Sequence, residues 1–193
     1  RQGAEYCTGA PVEKVLVERG RVAGAVIAGR RVRCRAVLAN GNLLATIRDL
    51  VGEEHFSPEF RTRSAAVRLN HSSCQVYFGL RPGAGFAPVG DLIFTSTCPE
   101  FDPEAMLARQ VTSRTYSIYY PELRPGSGDY TVVASMNARY TDWAGLERDA
   151  YRAAKAELIN ATLADLERFI PGITGMLDHV EAATPRTFLR YTW

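Results

Sequence analysis

Apolar and polar residues alternate over several stretches of this chain, as they do in strands with one face buried. Residues 12–18 and 22–27 read as two strands of a meander, without strict alternation, joined by the turn Arg19-Gly20-Arg21. Ala28-Gly29-Arg30 then turns into a third, where Arg31, Arg33 and Arg35 alternate with Val32, Cys34 and Ala36. Alternation returns at Ser73: Cys74, Val76, Phe78 and Leu80 fall on one face, Gln75 and Tyr77 on the other. Residues 92–96 and 116–120 read as further strands, and 130–138 as another with Tyr130, Val132, Ala134 and Met136 together on one side. A last short strand over 179–182 is broken by Thr184-Pro185.

Between these stretches the period changes to that of a helix. Asn42 is placed to cap a helix over 43–51 that Gly52 ends, and Ser57-Pro58 offers a second start with Ser as cap and Pro first. Phe101-Asp102-Pro103-Glu104 is a third start, with Phe101 placed to staple onto Met106. The longest helix is expected over 142–169, capped by Asp142. Tyr151, Ala154, Leu158, Thr162, Leu166 and Phe169 form its apolar stripe, and Ile170-Pro171-Gly172 stops it. The order of elements predicts an α+β fold: a mixed, largely antiparallel sheet flanked by helices over 43–193, preceded by a separate β-meander over 1–42.

One stretch breaks the alternation. Ala36-Val-Leu-Ala39 is apolar on both sides and reads as a strand buried between layers, as in a parallel sheet. It runs into Asn40-Gly41-Asn42 and then a helix start, the place where α/β proteins hold ligands. The local pattern alone also describes an ordinary strand-to-helix loop, which is the commoner case.

Composition narrows the possibilities mostly by exclusion. The chain of 193 residues carries 23 basic and 21 acidic side chains, a net charge of +2 that gives no reason to expect a nucleic-acid partner. No apolar run is long enough to span a membrane, and no signal peptide is visible. Cys7, Cys34, Cys74 and Cys98 are too far apart for a Cys-x-x-Cys site, and His55, His71 and His179 stand apart from them. Free thiols in a reducing, cytoplasmic compartment are expected, with room for peripheral membrane contact. No nucleophile elbow, zinc motif, dinucleotide fingerprint or phosphate loop occurs. The start at Arg1 without methionine and the abrupt end at Trp193 read as a segment of a longer chain.

The segments Arg114-Thr-Tyr-Ser-Ile-Tyr-Tyr-Pro121, Pro125-Gly-Ser-Gly128, Tyr130-Thr-Val-Val-Ala and Asp142-Trp143 occur in an order that resembles the central part of the phytoene desaturase, carotenoid isomerase and retinol saturase family. The ending Thr184-Pro-Arg-Thr-Phe-Leu-Arg-Tyr-Thr192 is similar to that family's Thr-Pro-x-Thr-Phe-x-Arg-Tyr-Thr segment. The meander followed by Asn40-Gly41-Asn42 resembles the family's return to its FAD domain, although many members read Asn-Ala-Asp there.

The resemblance implies an FAD-dependent oxidoreductase for the parent, acting on an apolar, isoprenoid- or carotenoid-like substrate. Residues 1–42 would then belong to an incomplete Rossmann-like FAD-binding domain and 43–193 to the substrate-binding domain. Asn40, Gly41 and Asn42 become candidates for flavin contact, and Tyr77, Phe78, Phe94, Tyr116, Tyr119 and Met136 for an apolar substrate lining. The same six residues equally suit the core under the long helix. Arg186 and Arg190 are read as structural ion-pair partners, and no catalytic acid or base is identified. The family's glycine-rich FAD start is absent here, so the segment alone is expected to be inactive and not to retain FAD, and to self-associate through 11–42. Competing classes are a non-catalytic lipid- or protein-binding module and an amine-oxidase-like flavoenzyme segment.

Overall fold

Two tight hairpins build the first sheet. In the computed structural model, which describes residues 3–68, 70–123 and 128–192, β1 (Val12–Glu18), β2 (Arg21–Ile27) and β3 (Arg30–Arg33) form an antiparallel meander. Its turns are Arg19-Gly20, with φ of 51° and 73°, and Ala28-Gly29, with φ of 47° and 72°. Two successive left-handed residues give the turn twist that matches paired strands, and glycine in second place removes half of the strain.

The chain then leaves the sheet. Residues 36–40 pair with no strand and are exposed; Leu38 is 97% exposed. The expected buried strand over 36–39 therefore does not form in this structure. A strand apolar on both faces needs hydrogen-bonded neighbours and covering layers, and the described residues supply neither. Asn42 caps as expected, its Oδ1 accepting from the Ala45 N–H at 3.0 Å. Helix α1 (Leu43–Ala45) continues as a π-helical turn over Thr46–Val51, ended by Gly52 at φ 102°. Ser57 caps α2 (Pro58–Ala65), its Oγ accepting from the Phe60 N–H at 3.2 Å.

Compact packing divides the chain into residues 1–69 and 70–193. The helical segment 43–68 thus lies in the same compact unit as the meander.

The second unit is a five-stranded sheet in the order β5-β6-β7-β4-β8, antiparallel at every pairing. Its strands are β4 (Ser72–Leu80), β5 (Leu92–Ser96), β6 (Ser113–Tyr119), β7 (Thr131–Ala138) and β8 (Leu177–Ala183). Cys74, Val76 and Phe78 of β4, Tyr116 and Ile118 of β6, and Val132, Ala134 and Met136 of β7 share one buried face. Leu158, Thr162 and Leu166 of α4 (Arg148–Leu166) cover that face, joined by Ile170 and Ile173.

The helix expected over 142–169 is broken in two. A short α3 (Thr141–Ala144) ends at Gly145, and α4 restarts after Glu147. Glycine weakens helix continuation, and the Arg186 Nη1 donates to the Leu146 carbonyl at 2.8 Å, which holds the turn open. Arg186 also lies 4.5 Å over the Tyr151 ring, so its role is structural but its partners are a carbonyl and a ring rather than a carboxylate. Thr184-Pro185 ends β8 as expected and also opens a final helix, α5 (Pro185–Thr192), that the spacing did not announce. At 101–104 a single 3₁₀ turn over Ala105–Leu107 forms, with Asp102 Oδ1 accepting from Glu104 and Ala105 N–H groups at 2.9 and 3.1 Å. That turn is too short for a staple, and Phe101 stays exposed. The Pro125–Gly128 loop lies outside the described residues apart from Gly128.

Candidate functional site: the open face of the sheet

Alternation in a strand sends every second side chain to the opposite face. The face of the five-stranded sheet away from α4 therefore carries Ser73, Gln75 and Tyr77 on β4, Ser113, Thr115, Ser117 and Tyr119 on β6, and Val133, Ser135 and Asn137 on β7. Leu92, Phe94 and Ser96 join them from the edge strand, because Phe94 pairs with Thr115 and Leu92 with Ser117. Most of these side chains are half-buried, while Phe94 is 74% exposed.

The six aromatic and methionine candidates divide between the two faces. Tyr77, Phe94 and Tyr119 stand on the open face. Phe78, Tyr116 and Met136 sit in the core beneath α4. Tyr116 is committed there: its hydroxyl reaches Asp165 Oδ2 at 2.8 Å and the Thr162 carbonyl at 3.1 Å. Burial first, and then the Asp165 hydrogen bond, push its phenol above the ordinary range. Asp165 also accepts from the Thr95 hydroxyl at 3.2 Å and from Arg168 Nη1 at 2.9 Å. The buried Arg114 donates through Nε to Thr162 Oγ1 at 3.3 Å. This cluster ties β5 and β6 to α4.

The open face has its own hydrogen-bonded line. The Tyr77 hydroxyl donates to Gln75 Oε1, and Gln75 Nε2 donates to Ser135 Oγ at 3.4 Å. Partial burial, and then the Glu181 carboxylate across the strand pair, raise the Tyr77 phenol above its usual value. Next to this line is a depression of about 310 Å³ lined by Ser73, Phe94, Met106, Ser113, Thr115, Ser135 and Asn137, among others. Of the residues that line the depression, the sequence pointed to Phe94 and Met136; it pointed to none of Ser73, Ser113, Thr115, Ser135 and Asn137, although the alternation already placed Gln75 beside Tyr77. Short hydroxyl side chains on a strand look like ordinary solvated positions until the sheet brings them together.

In the first unit, Asn42 spends its side-chain oxygen on the helix cap, whereas Asn40 and Gly41 are exposed. A side chain at Gly41 would meet nothing closer than Thr46 Oγ1 at 3.9 Å, so this stretch of backbone is open. Nearby, Val15, Val17, Val22, Val37, Ala39 and Phe56 line an apolar depression of about 250 Å³. The four cysteines are free, and burial pushes the Cys74 thiol up to about 12, which removes it as a nucleophile. No cluster of metal-ligating side chains occurs among the described residues, and no helix of the described chain is long and apolar enough to cross a membrane.

No family model matches the chain. It is 28% identical over 204 aligned residues to the all-trans-zeta-carotene desaturase of Myxococcus xanthus, covering 99% of this chain and 36% of the relative. The likeness is to an oxidoreductase of the carotenoid desaturase type. The chain thus spans about 36% of the length of the curated relative it matches. Among solved structures, an oxidoreductase from Methanosarcina mazei aligns over 90% of this chain and 36% of its own, at 17% identity and a TM-score of 0.46.

Proposed function

We propose that this chain is the substrate-binding segment of an FAD-dependent oxidoreductase acting on an apolar, isoprenoid- or carotenoid-like molecule. The observation that carries the proposal is the open sheet face. It is a broad, half-buried floor with Tyr77, Phe94 and Tyr119 spread across three strands, and it is separate from the core that stabilises the unit. Likeness to a carotene desaturase over nearly the whole chain supports the same reading. Six strand steps separate Ser73 from Gly79, so the floor is about 20 Å long, enough to hold a large part of an extended polyene. The flavin, when bound in the parent, supplies the electron acceptor. The chain's own part is to hold the substrate flat and exclude water. Asn40 and Gly41 offer one exposed contact toward the cofactor, which falls far short of the roughly 8 kcal/mol of micromolar binding. The chain by itself is therefore expected to purify without flavin.

The test is a titration of the purified chain with β-carotene and with zeaxanthin, each in detergent micelles, following tryptophan quenching. Saturable binding of either polyene is expected, weakened at least tenfold by Tyr77→Asp. If neither polyene binds, or if Tyr77→Asp binds as well as the native chain, the open face is not a polyene site.

A further inference from the structure

The open face is not uniformly apolar. Toward one end, Leu92, Ser117, Val133 and Tyr77 lie in register across four strands. One step along, Phe94, Thr115, Ser135 and Gln75 form the next row. Beyond it Ser96 pairs with Ser113, and Ser73 with Asn137, with no apolar side chain between them. The depression of about 310 Å³ lies at this polar end.

Four of its lining groups, Ser73, Ser113, Thr115 and Asn137, make no side-chain hydrogen bond among the described residues, and all but Asn137 are half-buried. Their oxygens and the Asn137 amide are thus free to bind a ligand, next to apolar contacts from Phe94 and Met106. We infer that the substrate of this face is an apolar chain carrying an uncharged oxygen function, a hydroxyl or a ketone, which seats among Ser73, Ser113, Thr115 and Asn137. The inference rests on the function proposed above and narrows its substrate class.

The physical reason is a difference in desolvation. A pure hydrocarbon laid over this end strips water from four polar side chains and returns no hydrogen bond. An oxygenated end group replaces that water. Hydroxyls and a carboxamide both donate and accept, so they suit a neutral oxygen that does the same. No carboxylate lines the depression to bind a cation. The one lining cation, the buried Arg114, already donates to Thr162. Sites built to bind a hydroxyl discriminate strongly against the analogue that lacks it.

β-Carotene and zeaxanthin differ only by terminal hydroxyls, so their affinities for the purified chain in the same micelles decide the matter. Two net hydrogen bonds should make zeaxanthin bind roughly tenfold tighter or more. The double variant Ser73→Ala with Thr115→Val, and separately Asn137→Leu, should reduce that ratio toward one by weakening zeaxanthin binding. These positions lie outside the core, and circular dichroism checks that each variant is folded. Equal affinity for the two polyenes, or preference for the hydrocarbon, overturns the inference and leaves the polyene site standing. A zeaxanthin preference that survives both variants also overturns it, since the oxygen then seats elsewhere. Binding of neither polyene removes the proposed function itself.

Discussion

The two units of this chain are written in the same strand alphabet and reach different ends. In residues 70–193 one face of the alternation is sealed: Val76, Phe78, Val132 and Ala134 are buried against α4, and a continuous core runs from Cys74 to Ala182. In residues 1–69, β1 and β2 are rich in apolar residues without strict alternation, and the buried apolar side chains are Val15, Ala25 and Ile47, while Val12, Val32, Leu38 and Val67 are exposed. The difference is the covering layer. A sheet face becomes a core only when an apolar stripe of matching length lies on it. The nineteen-residue α4 provides one, and the broken helical turns over 43–55 provide little. The second unit thus seals one sheet face into a continuous core, while the first buries few of its apolar side chains.

The largest expected effect tests the claim that α4 makes that difference. Leu158→Ala should destabilise the second unit by about 2–5 kcal/mol, because the side chain is buried against the sheet. An unchanged denaturant midpoint would mean that the helix is peripheral and that the units differ for another reason.

A smaller effect is expected from the polar cluster under the same helix. Tyr116→Phe removes the hydroxyl that meets Asp165 and Thr162 and should cost about 1–3 kcal/mol. The native phenol ionises above its ordinary value of 10.0, so it holds a proton in the folded state that the unfolded state loses first. Its contribution is therefore full below pH 10 and is lost as pH rises through the elevated folded value. Stability measured from pH 9 upward should fall more steeply in the native chain than in the variant. Parallel curves would mean that the hydroxyl contributes nothing to the fold.

The smallest effect on stability is expected in the first unit. Leu38→Asp should change the midpoint by less than about 0.5 kcal/mol, since the side chain is 97% exposed. The same substitution should reduce concentration-dependent self-association of the purified chain in sedimentation velocity. A monomeric native chain at high concentration would show that the open apolar surface around residues 11–42 is tolerated in water, and the contrast between the units would lose its consequence.

By itself, the sequence determined most of the strands, the caps at Asn42 and Ser57, and the sorting of side chains within a strand, but not the cap expected at Asp142, which lies inside α3. Period-two spacing put Cys74, Val76, Phe78 and Leu80 on one face and Gln75 and Tyr77 on the other, because the pleat is a property of the backbone. Asn42 and Ser57 announced their helices, because a cap is a contact between residues three apart. Only tertiary structure decided which face is core and which is open. That choice is set by the side of the sheet on which α4 lies, and no local pattern encodes it. It sent Phe78, Tyr116 and Met136 inward and left Tyr77, Phe94 and Tyr119 as floor. It also broke the long helix at Gly145, where Arg186, forty residues away, holds the Leu146 carbonyl. The run at 36–39 shows the same dependence from the other side. Its composition asks for burial, but burial is supplied by neighbours, and Leu38 finds none among the described residues.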